Sequence, residues 1–517
     1  MPKCKINGKE IEVPAGTSII QAIKMLNQDI AHYCWHPGLS VAGVCRLCMV
    51  QIEGMPKLQI ACNTEVKEGM VINNTSDVVK ETVRWGMDFH LINHPLDCPI
   101  CDQAGECGLQ EQYMRFGQYD PEMAEPKVKK KKVVDLGPTV VLDSERCILC
   151  SRCVRFTDEV SKTNELGIFN RGDHSEIGTF EGKPLDNKYS LNTVDICPVG
   201  ALTSKDFRFR QRVWYLKEVD TICPGCSTGC SIKVHFNEEG LWRVKPRYNP
   251  EVNGHWMCDD GRGAYKYVNK KFRLLSAMVT DKGTTSTMDP LAAAKQVGEQ
   301  LKGWAKSNPE SVAVVLTGQY TNEEYDAFLQ VLSQNWGVKN VYHWLNNPET
   351  VESFDGLLIR GDKNPNTKGL LAAFQKHNLM KTWADLTSRL DSGKVTALIV
   401  AGPENQAVFP DLSEKIKQFT KAANLVWLAA GSHPELDKFP GPLWQIPLKT
   451  YFEKDGTFMN FQGKAQKIKR GAAIVDSSLS LLEVAEAFAG EPFQIDAGES
   501  ITHELKQNHF TALRGQI

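Results

Sequence analysis

The sequence predicts a multidomain chain, α+β over its first half and α/β over its second. Three observations carry this reading. The chain has 517 residues and 42% hydrophobic content, enough for several packed cores. All 16 cysteines lie between Cys4 and Cys258, most of them in groups built on C-x2-C. From about residue 276, strand-like runs (Ser311 to Leu316, Ala397 to Ala401, Asn424 to Ala429) alternate with amphipathic stretches such as Asn322 to Trp336, a βα pattern that predicts a largely parallel sheet.

Composition narrows the function. Acidic and basic residues number 62 and 60, for a net charge of −2, which argues against nucleic acid as the main partner. No run of about 18 apolar residues predicts a membrane span. The start, MPKCKINGKEIEV, has no apolar h-region and lacks the Arg- and Ser-rich character of a transit peptide. Grouped cysteines without an export signal predict metal binding and not a disulfide framework.

Residues 1–75 open as a β-hairpin. Lys3 to Ile6 and Glu10 to Val13 flank Asn7-Gly8, a type I′ dipeptide. A short helix after Thr17 points Ile19, Ile20, Ile23 and Leu26 at a core. Cys34, Cys45 and Cys48 then follow as C-x10-C-x2-C, and Cys62 comes after a strand-like KLQIA. Three loop cysteines and one distant cysteine suit a [2Fe–2S] cluster, although the spacing departs from the plant-type C-x4-C-x2-C. Gly38 and Gly43 would let the backbone approach the sulfides. His32 and His36 are surplus to four thiolates, and Cys4 has no partner in the spacing.

Residues 76–117 form a helical unit. Val79, Val83, Met87 and Leu91 share one face of a helix over Asp77 to Leu91, which Pro95 stops so that His94 stands at its end. His94, Cys98, Cys101 and Cys107 follow as H-x3-C-x2-C-x5-C. Thiolates favour zinc or iron–sulfur over hard cations. Residues 118–138 look like a linker, and its run Lys129 to Lys132 is expected to be solvated.

Residues 139–216 carry Cys147, Cys150 and Cys153 as C-x2-C-x2-C, then Cys197 before Pro198. This is the spacing of a bacterial-type [4Fe–4S] ferredoxin. No second triplet adjoins Cys197, so it is expected to close the same cluster. Residues 217–275 carry Cys223, Cys226, Cys230 and Cys258 as C-x2-C-x3-C-x27-C. Zinc is the competing ligand throughout, as a ribbon in this last case. Four sites need sixteen ligands; fifteen cysteines and His94 supply them, leaving Cys4.

The His94 spacing resembles the motif of one histidine and three cysteines in the large iron–sulfur subunit of respiratory complex I. It is found also in the diaphorase part of some hydrogenases and in iron-only hydrogenases. The Cys34 region resembles the N-terminal ferredoxin-like domain of the complex I subunit. The Cys223 region resembles the [4Fe–4S] domain at the front of molybdopterin oxidoreductases and the fourth cluster of some bacterial complex I subunits. In residues 276–517 the segment with Glu453, Gly456, Thr457, Asn460, Gly463 and Gln466 looks like the E-x-x-G-T-x-x-N-x-x-G stretch of the molybdopterin family. The domain is short for that family, offers no cysteine to a metal, and has Asp260 where pterin-binding relatives tend to carry a lysine or arginine. A shortened α/β domain without cofactor is therefore expected.

The resemblance to the complex I family implies a ferredoxin-like β-grasp domain with one [2Fe–2S] cluster and three [4Fe–4S] domains. It implies an electron conductor with no catalytic residue, and no NADH, flavin or quinone site of its own. Its partners would be a flavin- and NADH-binding subunit, a [2Fe–2S] subunit and quinone-side iron–sulfur subunits. Membrane contact would come only through partners, in the peripheral arm at the cytoplasmic face of a bacterial inner membrane. An electron-transfer subunit of an NAD-linked hydrogenase or formate dehydrogenase is the alternative, and a zinc-organised scaffold the non-redox one.

Overall fold

The computed structural model describes residues 1–123, 125–379 and 381–490. The chain divides into two compact units, Met1–Tyr215 and Leu216–Ile517.

The first unit begins with the expected hairpin. Lys3–Ile6 and Lys9–Glu12 pair antiparallel, with Ile6 opposite Lys9. Asn7 and Gly8 have φ of 49° and 81°, as the type I′ turn requires. A five-stranded mixed sheet runs Lys9–Glu12, Lys3–Ile6, Met70–Asn73, Met49–Ile52, Gln59–Ile60. Helix Ile19–Met25 buries Ile19, Ile20 and Ile23 in a core with Ile6, Val50 and Ile72. Gln21 accepts from the Ser18 backbone N–H at 2.9 Å and fixes the helix start. Cys4 lies in the same core, and burial pushes its thiol up.

Helix Asp77–Leu91 buries Val79, Val83 and Met87, as the periodicity predicts, with Leu91 packed at the edge. Asp88 is also buried, where it accepts from the Gln118 side chain at 2.8 Å and the Glu122 backbone at 3.1 Å. The helix ends at Leu91, so His94 stands in the turn beyond it, its N–H bonded to the Leu91 carbonyl at 3.0 Å.

The lysine run is solvated as expected, with Lys129, Lys131 and Lys132 exposed, but two of its side chains also make fixed contacts. Lys130 donates to the Ser175 carbonyl, and Lys132 reaches Asp97 at 2.6 Å and Glu145 at 2.8 Å. Just ahead of them, Lys127 donates to the Leu91 and Ile92 carbonyls, satisfying orphan acceptors at the helix C-terminus. These lysines have fixed carbonyl and carboxylate targets, which sequence proximity does not reveal. The chain then enters a three-stranded sheet of Val134–Asp135, Val140–Leu142 and Leu202–Ser204. Between Cys153 and Cys197 lies a hairpin, Leu166–Phe169 with Glu176–Thr179. Residues from this part and from the Asp77–Leu91 helix share one hydrophobic core, which includes Val79, Met87, Leu142 and Leu202.

The second unit opens with an antiparallel sheet of Lys217–Ile222, Ser231–Asn237 and Gly240–Pro246. A seven-stranded sheet follows. Five of its strands are parallel, in the order Asn340–Trp344, Val312–Thr317, Ala397–Ala401, Asn424–Ala429, Leu443–Pro447. Ala277–Asp281 and Thr284–Met288 extend it antiparallel at one edge. The parallel strands are buried on both faces, hence their continuous apolar runs. The Asn322–Trp336 stretch is an α-helix over Asn322–Leu329 that continues as a π-helical turn, Gln330–Asn335.

Candidate metal centres

At the first site Cys34, Cys45, Cys48 and Cys62 are all buried. The sulfurs of Cys34 and Cys45 approach to 3.4 Å. Sharing a hydrogen with Cys45 pulls the Cys34 thiol down to about 5, and sharing one with Cys48 pulls Cys62 down. The four thiols thus fall into two pairs. Gly43, at φ 66°, supplies the left-handed turn of the loop, whereas the Gly38 N–H is taken by His36 Nδ1 at 3.1 Å. His32 Nδ1 bonds the Ile30 carbonyl, and burial holds its ring down to about 4. Both histidines are engaged locally. Tyr33 Oη meets Met87 Sδ at 3.1 Å and ties this loop to the Asp77–Leu91 helix.

At the second site burial pushes the Cys101 and Cys107 thiols up, and the neighbouring Cys98 sulfur contributes to both shifts. Burial drives the His94 imidazolium down to about 4, so the ring is neutral at pH 7. Its Nδ1 is buried with no hydrogen-bond partner. A neutral imidazole with an orphaned ring nitrogen fits a metal ligand. Arg146, which acts on both His94 and Cys101, is held by Asp97 at 2.9 Å. Cys107 caps helix Gly108–Phe116.

The third set lines one cavity: Cys147, Cys150, Cys153 and Cys197, with Leu142, Ile177 and Val199 among the walls. Burial pushes Cys147 up to about 12, Cys150 up to about 11, and Cys153 and Cys197 upward as well. Leu149 and Ser151 have φ of 53° and 60°. Such left-handed non-glycine residues mark a backbone bent to aim its side chains. The Leu149 N–H donates to Cys147 Sγ at 3.4 Å.

The fourth set, Cys223, Cys226, Cys230 and Cys258, lines a cavity together with Asp260 and Lys363. Gly225 and Gly261 donate backbone N–H groups to Cys223 Sγ and Cys258 Sγ at 3.4 and 3.3 Å. A Cβ at Gly261 would lie 3.0 Å from Cys223 Sγ, so a larger residue there would press on that thiol. Burial pushes Cys258 up to about 12 and drives Cys223 and Cys230 upward.

Two features of the fourth site escaped sequence reasoning. Lys363 brings to the cavity a positive charge from a distant loop. The segment containing Glu453 to Gln466 clasps the cysteine loop: Asn460 donates to the Thr228 carbonyl at 3.4 Å and Gln466 to that of Gly229 at 3.1 Å. Phe461 N–H bonds the Ser227 carbonyl at 2.8 Å. Upstream, Glu453 pairs with Arg273 at 2.6 Å, and Lys454 with Glu404 and Glu324, all buried. The only signal for this clasp was the family-like segment itself.

All sixteen cysteines are free of disulfides. Among the described residues no group of three His, Cys, Asp or Glu side chains is disposed to hold a single metal ion. What the thiols of the third and fourth sites share is a cavity. Buried thiols resist ionisation, and as thiolates they need a bound cationic centre to offset their charge. The donor sets therefore fit iron–sulfur clusters.

Four family models match in chain order. The "2Fe-2S iron-sulfur cluster binding domain" covers residues 3–77, and the "NADH-ubiquinone oxidoreductase-G iron-sulfur binding region" residues 86–121. The "NADH-quinone oxidoreductase subunit 3, ferredoxin-like domain" covers 137–203, and the "Molybdopterin oxidoreductase Fe4S4 domain" 216–270. The chain is 41% identical over 276 residues to the G subunit of NADH-quinone oxidoreductase from Streptomyces coelicolor, covering 53% of this chain and 33% of that one. It is 36% identical over 342 residues to the G subunit from Rickettsia felis, covering 66% and 50%.

The chain is similar to the G subunit of NADH-quinone oxidoreductase.

The mitochondrial NADH-ubiquinone oxidoreductase 78 kDa subunit of Candida albicans is 36% identical over 409 residues, covering 75% of this chain and 56% of that one. The chain thus spans from a third to just over half the length of these relatives. It carries 2Fe–2S and 4Fe–4S domains in a mixed α/β framework. No helix among the described residues is long and apolar enough to cross a membrane.

Proposed function

We propose that this chain is an electron-conducting iron–sulfur subunit of an NADH:quinone oxidoreductase, with sixteen ligands in four sets. Cys34, Cys45, Cys48 and Cys62 would hold one [2Fe–2S] cluster. His94 with Cys98, Cys101 and Cys107, Cys147 with Cys150, Cys153 and Cys197, and Cys223 with Cys226, Cys230 and Cys258 would hold three [4Fe–4S] clusters. Clusters bound there would accept and release single electrons. The single observation that carries the reading is the pair of cavities, each lined by all four cysteines of one spacing motif.

The residues position the redox centres, and the chemistry at either end belongs to partners. These would be a flavin- and NADH-binding subunit, a [2Fe–2S] subunit and quinone-side iron–sulfur subunits, in a peripheral arm at the cytoplasmic face of a bacterial inner membrane. The proposed domains are 1–75, 76–117, 139–216 and 217–275 for the clusters, with 118–138 as a connector and 276–517 as a cofactor-free α/β domain. The clasp from Asn460 and Gln466 gives that last domain a role without a ligand, namely holding the Cys223 loop in shape.

Iron and acid-labile sulfide analysis of anaerobically purified protein tests this. About 14 iron atoms per chain are expected from one [2Fe–2S] and three [4Fe–4S] centres. About four zinc atoms with little iron would instead indicate tetrahedral structural sites and overturn the reading.

A further inference from the structure

Arg152 and Arg155 lie in the short helix Arg152–Arg155, which contains Cys153 and follows the loop carrying Cys147 and Cys150. Each guanidinium reaches two sites at once. Arg155 donates to the Cys34 carbonyl at 2.5 Å and to the Cys150 carbonyl at 3.3 Å. Arg152 donates to the Trp35 carbonyl at 2.7 Å and to the Ile196 carbonyl, next to Cys197, at 3.1 Å. Two consecutive carbonyls of the Cys34 loop are thus joined to two carbonyls of the Cys147 site by two cations. Arg155 also donates to the Ser40 carbonyl, and Glu159 accepts from Ser40 N–H at 2.8 Å, which fixes the far side of the same loop. The planar fork of arginine makes such double contacts possible, which lysine's single ammonium cannot match.

We infer that Arg152 and Arg155 form a bridge that both tunes and couples the Cys34 and Cys147 centres. This rests on the ligand assignment proposed above. Two fixed positive charges beside both donor sets favour the more negative, reduced state of each centre. The hydrogen bonds add a short covalent and hydrogen-bonded route, from Cys34 through the Arg155 guanidinium to Cys150, in place of a gap through space. In the step this serves, one electron leaves the Cys34 centre and arrives at the Cys147 centre. No bond or proton changes hands. Arg152 and Arg155 are positioning residues, since neither supplies a ligand atom.

The test is redox titration followed by low-temperature EPR on the full chain with its clusters, comparing the parent with Arg155→Gln and Arg152→Gln. Both the [2Fe–2S] signal and the Cys147 [4Fe–4S] signal should move to lower potential, by up to a tenfold change in each reduction equilibrium, about 59 mV for one electron. The His94 and Cys223 signals should hold their place. Intact clusters with neither signal moved, or only one, would overturn the inference while leaving the ligand assignment standing. Absence of iron from the parent would instead overturn the assignment. Arg155→Lys keeps the charge, and serves if the glutamine variants do not assemble. It should leave both potentials near the parent's while slowing, several-fold, the arrival at the Cys147 centre of an electron placed on the Cys34 centre by flash photoreduction. An unchanged rate there rules out the bridge.

Discussion

Arg273 and Glu453 meet at 2.6 Å with both side chains fully buried, 180 residues apart in sequence. Glu453 also accepts the backbone N–H groups of Thr450, Ile474 and Val475. Burial alone would raise its carboxyl, but Arg273 and these amides outweigh it and hold it below the usual carboxylate range. A carboxyl depressed in the folded state adds stability that is fully present above its unfolded value and is lost as pH falls through the folded one. Urea denaturation of the chain should therefore show Glu453→Gln destabilised by about 3–5 kcal/mol at neutral pH, the cost of leaving a buried partner unpaired. The deficit should shrink as pH drops below the ordinary glutamate range. A pH-independent deficit would mean that packing, not charge, holds this segment.

His94→Cys should retain a [4Fe–4S] centre at a lower potential. A neutral imidazole is replaced by a negative thiolate, the reverse of the change that raises the potentials of Rieske centres. A shift of at least about 59 mV, tenfold in the reduction equilibrium of a one-electron couple, is expected in an EPR-monitored titration. An unmoved potential with the cluster intact would remove His94 from the ligand set.

Gly200 follows Cys197 closely and faces the neighbouring site. A Cβ there would collide with Cys101 Sγ and lie 3.1 Å from Gln103 Cβ. Gly200→Ala should therefore cost the His94 site its iron, or broaden its EPR signal, while the Cys223 signal stays sharp. Iron analysis with EPR reads both. Full retention of all signals would show that the Cys101 loop can give way.

The purified chain should not oxidise NADH. It carries no G-x-G-x-x-G or other announced dinucleotide motif, and hydride-to-electron conversion requires a flavin or similar cofactor. Ferricyanide reduction by NADH should stay at background until a flavoprotein partner is added. Steady turnover by the chain alone would place a nucleotide site in it.

The cysteine groupings were legible because short, local spacings such as Cys147-x2-Cys150-x2-Cys153 stand out in a sequence, and the structure gathers two of the four proposed sets around a cavity each. The Asp77–Leu91 helix was legible from period, and the Asn7-Gly8 turn from the one dipeptide that tolerates its geometry. Strands Asn340–Trp344 and Leu443–Pro447 were missed. The first is five residues ending in His-Trp and the second ends in proline, so neither stands out as an apolar run. The contacts of Lys127, Lys130, Lys132, Arg152 and Arg155 were not readable at all. Their acceptors are mostly backbone carbonyls, which every residue carries, and the partners come together only once the chain has folded. Lys363 entered the fourth site in the same way, from a loop whose composition announces nothing.

Cys98 stands apart from the other cysteines of the proposed sets in being exposed, between Leu96 at 89% and Ile100 at 62% exposure. In the isolated chain this is where dissolved oxygen has its shortest path to a thiolate-bound centre, since accessible thiolates oxidise first. Damage by air should start at the His94 centre and leave the buried Cys34 set for last. The order in which signals fade during aerobic storage is therefore written into the depth of single sulfur atoms, and a preparation that has lost one centre has a recognisable history.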